Sequence, residues 1–252
     1  PHAWFASFYA LSVAWSLLWA TQVLTRAAVF RAVCDVTDRS RGPGMSARQV
    51  MVVWSLMLVQ GSRRLWECLA VAPATAGSKS RMWVGHWLLG LAFYVGTSIA
   101  VWVEGVPALR THEFTVGDVA LTAPDVKTFV GTLLFILASG WQHDCHAYLA
   151  SLKSERGRTA TDTKDGDGYR LPDHPAFARL IAPHYTAECV IYLALAILGA
   201  PTGAWVNGTL LCALIFVIVN LGVTAHGTKQ WYERRFGNEA VAGKWRMLPF
   251  IF

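Results

Sequence analysis

Six stretches of this chain are apolar enough and long enough to leave water altogether. The first, Trp4 to Leu24, contains no charged residue, and about 20 such residues suffice for a helix to cross the hydrocarbon layer of a membrane. The others run over Val50 to Ala72, Val84 to Val103, Phe129 to Leu152, Ala187 to Leu198 and Trp205 to Ala225. Inside lipid no water satisfies the backbone N–H and C=O groups, so such runs must bond internally, which predicts helices. Composition agrees. Only 15% of the 252 residues are charged, against about 25% in soluble domains, and mean hydropathy is +0.36. The predicted class is all-α, a polytopic membrane helical bundle with six spans.

The net charge of +6 does not point to nucleic acid. A nucleic-acid binder gathers its basic residues on one soluble face, whereas here they sit in short loops between apolar runs. Six spans put both termini on one side. That side collects most of the Lys and Arg: Lys79 and Arg81 after the second run, Lys153 to Arg179 after the fourth, and Lys229 to Arg246 after the sixth. By the positive-inside rule it faces the cytosol. The Arg26 to Arg48 stretch, with Gly42-Pro43-Gly44, reads as a polar loop, Ala74 to Arg81 as a connector, and Arg158 to Gly168 as a hydrophilic excursion low in apolar residues. Five cysteines stand singly without a CxxC pair, so neither a disulfide framework nor a zinc site is suggested.

Chemistry concentrates where polar groups interrupt this apolar background, because ionisable residues near membrane helices are costly unless they bind something. The longest interruption runs from Trp141 to Glu188. Gln142, His146, Leu149 and Lys153 recur at helical spacing and share a face. They suit either a helix end reaching into lipid headgroups or a phosphate-bearing ligand. His143 and His146 would serve as metal ligands only with further His-rich boxes, and His184 and His226 are single, so no metal is expected. Tyr169-Arg170-Leu171-Pro172 follows, and an arginine there offers a phosphate a forked contact. Tyr185, Glu188 and Tyr192 place an acid between two phenols on one face of the fifth run. Asn220, Lys229, Tyr232 and Arg246 lie along the sixth run and a basic aromatic tail that would also serve as an interfacial anchor. In the second run Gln60, Arg63, Arg64 and Glu67 share one side. Their spacing allows an internal ion pair, so structural adhesion and a catalytic role are equally open.

Taken together, these segments resemble the steroid 5α-reductase family. The matching pieces are Ser62-Arg-Arg-Leu-Trp-Glu-Cys-Leu69, Gln142-His-x-Cys-His146 with Leu152-Lys153, Tyr169-Arg-Leu-Pro172, Pro183-His-Tyr-Thr-Ala-Glu188, and the tail Gln230-Trp-Tyr232 to Leu248-Pro-Phe-Ile-Phe252. Their order and spacing, together with Pro1-His2-x-Trp4-Phe5, cover nearly the whole chain and look most like the polyprenol reductase branch, in a fungal form. The resemblance implies a seven-helix fold whose first helix would precede Pro1. It implies substrate-side helices over 1–128 and an NADPH-binding half over 129–252. The cofactor pocket carried over by motif comprises Gln142, His146, Lys153, Tyr169, Arg170, His184, Glu188, Asn220, Lys229, Tyr232 and Arg246. The expected location is the endoplasmic reticulum membrane, with that pocket facing the cytosol.

The implied activity is NADPH-dependent reduction of the α-isoprene double bond of a polyprenoid lipid, supporting dolichol synthesis and N-glycosylation. Two features depart from the family pattern: a tyrosine near Cys68 that bonds the substrate carbonyl in steroid-reducing members is absent, as is a Tyr-Pro before the last basic cluster. Hydride adds to an alkene only where the resulting charge is stabilised, so a conjugated aldehyde, polyprenal, is favoured over polyprenol. A donor must meet its oxygen. Glu67, assisted by Arg63 or Arg64, is the expected donor, with His146 and Tyr148 as substitutes. The alternatives are a steroid or enoyl-lipid reductase of the same fold, a membrane methyltransferase using S-adenosylmethionine, and a non-catalytic scaffold. No obligate protein partner is implied.

Overall fold

A computed structural model describes residues 2–37, 44–71, 82–119, 124–159 and 169–252, without the side chains of 2, 3, 116, 119 and 155–159. Gly42 and Pro43, the Ala74 to Arg81 connector, and the excursion from residue 160 to Gly168 lie outside the described residues. Helices are α1 (His2–Leu24), α2 (Ala28–Thr37), α3 (Ala47–Trp66), α4 (Val84–Ala100), α5 (Val106–Leu109), α6 (Val126–Thr159), α7 (Pro183–Leu198) and α8 (Gly208–Phe236). Among the described residues each apolar run is helical over most of its length, the sixth only from Gly208. Among the described residues three segments, Trp4–Leu24, Val84–Leu109 and Gly208–Phe236, are long and apolar enough to cross a membrane. At 1.5 Å per residue the shortest of them spans about 30 Å, the thickness of the hydrocarbon core.

Two segments differ further from the sequence reading. The stretch after Arg26 is not wholly a loop, because α2 forms there and buries Phe30 and Cys34. The last run does not end near Ala225 but continues as helix to Phe236, where Gly237 adopts a φ of +89° and lets the chain leave the helix without a Cβ clash.

The chain divides into two compact units: 1–135 with 192–213, and 136–191 with 214–252. In the first, α1 packs on α3 and α4. Gly61 of α3 faces Ser12 and Val13 of α1, and Ser12 and Ser16 are buried. Small residues of this kind let helices approach closely in lipid, where there is no hydrophobic force between them. Trp54 Nε1 donates to the Ser16 carbonyl at 3.0 Å and Trp87 Nε1 to Ser7 Oγ at 3.0 Å.

The helix ends of this unit are capped by long-range side chains. Ser46 and Gln49 form a reciprocal capping box on α3. Gln49 Nε2 then reaches the carbonyls of Leu198 (3.2 Å) and Ala200 (2.7 Å), two acceptors left open where α7 ends. Asn207, fully buried, accepts from Leu210 N at 2.8 Å and donates to the Gly199 carbonyl at 3.1 Å. Glu104 Oε1 accepts from Thr209 N at 2.8 Å and from its hydroxyl at 2.6 Å, so α8 begins against a carboxylate that favours its positive end.

In the second unit the C-terminal segment is stitched to the approach to α7. Trp245 N donates to the Arg179 carbonyl (2.9 Å), Ile181 N to that of Trp245 (2.9 Å) and Ala182 N to that of Arg246 (3.0 Å). The Leu180–Trp245 pairing is an isolated parallel bridge. Thr186 Oγ1 donates to the Met247 carbonyl, and Met247 is fully buried.

Candidate active site

In the first unit, α3 changes from α-helical to π-helical winding at Glu67, and the π segment runs Glu67–Val71. Such widened turns recur at functional sites. Glu67 is 2% exposed, and its two carboxylate oxygens meet different guanidinium groups: Oε1 that of Arg63, Oε2 that of Arg64. Arg63 Nη2 also donates to Gln60 Oε1 at 2.7 Å. Arg64 turns the other way, donating from Nε (3.2 Å) and Nη2 (3.0 Å) to the hydroxyl of Tyr9 on α1, with its guanidinium 4.9 Å from the centre of that ring. Tyr9 meets Tyr94 of α4 edge-on at 5.6 Å. The one-sided spacing of Gln60, Arg63, Arg64 and Glu67 therefore becomes a hydrogen-bonded network. A charge removed from water is tolerable only when paired and bonded in this way.

In the second unit, Gln142 is buried and its Nε2 donates to Glu188 Oε2 and, at 3.4 Å, to the His184 carbonyl. His146 and His184 have ring centres 5.3 Å apart, so α6 and α7 gather four predicted residues: Gln142, His146, His184 and Glu188. Tyr192, four residues after Glu188 on α7, is buried and packs on Phe93 with ring centres 5.8 Å apart. Tyr169 lies edge-on to Trp231 at 5.0 Å, and Trp231 contacts Tyr232 at 5.4 Å. Lys229 Nζ donates to the Lys244 carbonyl at 2.7 Å, and Lys244 Nζ to that of Phe177 at 2.8 Å; partial burial draws the Lys244 ammonium below its ordinary pKa. Arg246 Nε donates to His226 Nδ1 at 2.9 Å, with its guanidinium 4.6 Å from the Phe252 ring centre. Lys153, Tyr169 and Arg170 are exposed, and Asn220 is half-buried on α8.

These groups fit a dinucleotide with phosphates. Lys153, Arg170, Lys229 and Arg246 are the cationic donors phosphates require. The Tyr169, Trp231 and Tyr232 rings offer faces for a flat base, and the Gln142–Glu188 pair combines an amide with a carboxylate, as a carboxamide partner needs. A cavity of about 450 Å³ lies along α8 and the tail, lined by Ile218, Val219, Gly222, Val223, His226, Arg246, Met247, Leu248 and Phe252. Among the described residues no group of three or more His, Cys, Asp or Glu is gathered that could hold a metal.

Three participants were not singled out as site residues by the sequence. Tyr9 sits 55 positions from Arg64 in an unbroken apolar run, and nothing local marks it. His226 looked isolated until the tail brought Arg246 to it. Asp173 accepts from the Tyr148 hydroxyl at 2.5 Å, and chiefly that bond holds its carboxyl below the usual range.

Residues 110–252 match the family model described as 3-oxo-5-alpha-steroid 4-dehydrogenase. The chain is 28% identical over 238 residues to a rice (Oryza sativa subsp. indica) protein named polyprenal reductase 2, covering 84% of this chain and 62% of that one. It is 27% identical over 260 residues to human polyprenal reductase, covering all of this chain and 78% of that protein. It is also 27% identical over 262 residues to Xenopus tropicalis polyprenal reductase, covering all of this chain and 80% of that one. The chain thus spans less than two thirds of the length of its rice relative.

Proposed function

The chain belongs to the 3-oxo-5-alpha-steroid 4-dehydrogenase family, and from that premise we propose that it is a membrane reductase using NADPH to saturate the α-isoprene double bond of a polyprenoid. The substrate is polyprenal and the product dolichal, the precursor of dolichol-type lipids used in N-glycosylation. The observation that carries this reading is similarity along the whole chain to proteins named polyprenal reductase. A steroid substrate is disfavoured by the absence of a tyrosine beside Cys68.

The chemistry follows from where charge must go. A reduced nicotinamide, when bound, supplies hydride to the β carbon of the enal. The residues assigned to hold it are Gln142, His146, His184 and Glu188 toward the ring, Tyr169, Tyr232 and Asn220 toward the nucleoside parts, and Lys153, Arg170, Lys229 and Arg246 toward the phosphates. The substrate side falls to Glu67, Arg63 and Arg64. As the enolate forms, its oxygen becomes negative, and preorganised donors in a water-poor site stabilise it far more than water would. Two guanidinium groups fixed on one buried carboxylate are oriented in advance and need no reorganisation as the charge develops. The apolar chain of the substrate matches the lipid-facing side chains of the first unit, where Leu17, Leu88 and Leu89 are exposed.

We place the protein in the endoplasmic reticulum membrane with the cofactor groups toward the cytosol, the side to which the basic loops assign Lys153, Arg170 and Arg246. The test is NADPH oxidation by purified protein in detergent, given polyprenal, polyprenol or a 3-oxo-Δ4 steroid separately. Turnover of polyprenal alone is expected. Steroid turnover would move the substrate class, and polyprenol turnover with no aldehyde present would overturn the conjugated-carbonyl route. A rise in melting temperature with S-adenosylmethionine and none with NADPH would replace the reductase by a methyltransferase.

A further inference from the structure

The cavity between α8 and the C-terminal segment has two unlike ends. Ile218, Val219, Gly222, Val223 and His226 line it from α8, and their spacing puts them in one stripe along the helix. At about 450 Å³ it has the size of a small-molecule site, for which about 300–1,000 Å³ is usual. Its walls are hydrocarbon except at His226 and Arg246. Val219 and Val223 are 61% and 70% exposed, so the groove opens sideways, where a membrane helix meets lipid. Gly222 keeps it open: a Cβ there would lie 3.6 Å from the Phe252 ring, and anything larger would fill the space.

His226 is 18 residues beyond Gly208 on α8, about 27 Å along the axis, close to the thickness of the hydrocarbon core. The apolar stripe therefore runs at hydrocarbon depth, and the cationic end comes at headgroup level. There Arg246 donates from Nε to His226 Nδ1 at 2.9 Å. Among the described residues its two terminal nitrogens have no bonding partner. His226, accepting at Nδ1, carries its proton on Nε2 and is a second donor. A guanidinium offers a phosphate a forked pair of hydrogen bonds, and Lys244, two residues before Arg246, adds positive charge.

We propose that this groove binds an anionic phospholipid, with its phosphate on Arg246 and His226 and an acyl chain along the α8 stripe. The cofactor, to which Arg246 is assigned above, is the other source of a phosphate. A dinucleotide, however, carries hydroxyls and amides along its whole length, and hydrocarbon walls leave such groups unbonded at a cost. An acyl chain has none to leave. The lipid therefore takes Arg246, and the cofactor phosphates keep Lys153, Arg170 and Lys229. The inference needs only the membrane placement of α8 and stands whichever substrate is reduced.

The test uses the purified, delipidated chain in dodecyl maltoside, with dioleoyl phosphatidic acid, dioleoyl phosphatidylcholine and glycerol 3-phosphate as probes. Native mass spectrometry counts bound lipid, and melting curves report its effect. The expected result is one phosphatidic acid per chain and a raised melting temperature. Phosphatidylcholine should bind about 5- to 10-fold more weakly, and glycerol 3-phosphate, which has no chain for the groove, should not bind. Arg246→Met should weaken phosphatidic acid binding about 10- to 100-fold, and Gly222→Phe, which fills the groove, should abolish it. Equal affinity for the two phospholipids, or uptake of several copies without saturation, overturns the site as a specific one. Glycerol 3-phosphate binding as tightly as the lipid, or release of the lipid by NADPH, gives the phosphate to a soluble ligand and overturns the proposal. Should either variant fold poorly, phosphatidic acid with a diazirine in its acyl chain decides on wild type. Crosslinks within 218–226 or 246–252 are expected, and crosslinks confined elsewhere overturn the assignment.

Discussion

Tyr9 on α1 and Arg64 on α3 are joined by two hydrogen bonds, 3.0 and 3.2 Å long, across 55 residues of sequence. The first places a phenol in a hydrophobic run and the second a cation in another, and neither alone says why. Joined, they tie α1 to the turn of α3 that holds Glu67.

Removing the anion from that network should cost more than removing one cation. Glu67→Ala leaves Arg63 and Arg64 facing each other without their shared partner, and breaking a buried pair in this way destabilises by about 3–5 kcal/mol. Glu67→Gln keeps an acceptor and should lose less. Denaturant unfolding in detergent micelles measures both, and equal stability of Glu67→Ala and wild type would contradict the network.

Glu188 is bonded by Gln142 in the group assigned to the nicotinamide ring. A hydrogen bond to a charged group contributes about 1.5–3 kcal/mol, so Glu188→Ala should weaken NADPH binding about 10- to 100-fold. Titration calorimetry with NADPH reads this directly. Unchanged affinity would remove Glu188 from the cofactor assignment.

The Asp173 carboxyl titrates below its ordinary value, chiefly because the Tyr148 hydroxyl donates to it, helped by its own backbone N–H and by Arg170 and His174. A carboxyl with a depressed folded-state pKa contributes stability that is complete above its unfolded value, about 3.9. That contribution is lost as pH falls through the lower folded value. Wild type should therefore melt above Asp173→Asn at neutral pH, and the gap should close on acidification below about pH 4. Melting curves at stepped pH check it; a gap independent of pH would mean the charge is irrelevant.

Asn207 is fully buried and serves the start of α8 and the Gly199 carbonyl at once. Asn207→Ala strands a donor and an acceptor, costing about 1–3 kcal/mol. A loss in melting temperature is expected without any change in NADPH affinity, since Asn207 lies outside the groups assigned to the cofactor.

Helix positions were legible because a run such as Trp4 to Leu24 has no polar alternative to internal hydrogen bonding. The helix α2 was not, since a short segment with Arg31 and Asp35 on one side and Phe30 and Cys34 buried looks like a loop until something packs on it. The end of α8 was misjudged because the polarity of residues 226–236 suggested an exit from the membrane, whereas a helix can leave the membrane and continue in water. The candidate residues of α6 and α7 were legible as a list. That Gln142, His146, His184 and Glu188 form a group was not.

The sequence by itself determined that this is an all-helical membrane chain and which side chains are too polar to be there without a purpose. Both follow from local quantities: the transfer free energy of a run of residues, and the cost of a charge in a low-dielectric setting. Only the tertiary structure decided who partners whom. A hydrogen bond is directional and short, and pairs such as Tyr9 with Arg64, His226 with Arg246, or Gln49 with Ala200 depend on how helices distant in sequence are packed, which no local pattern encodes.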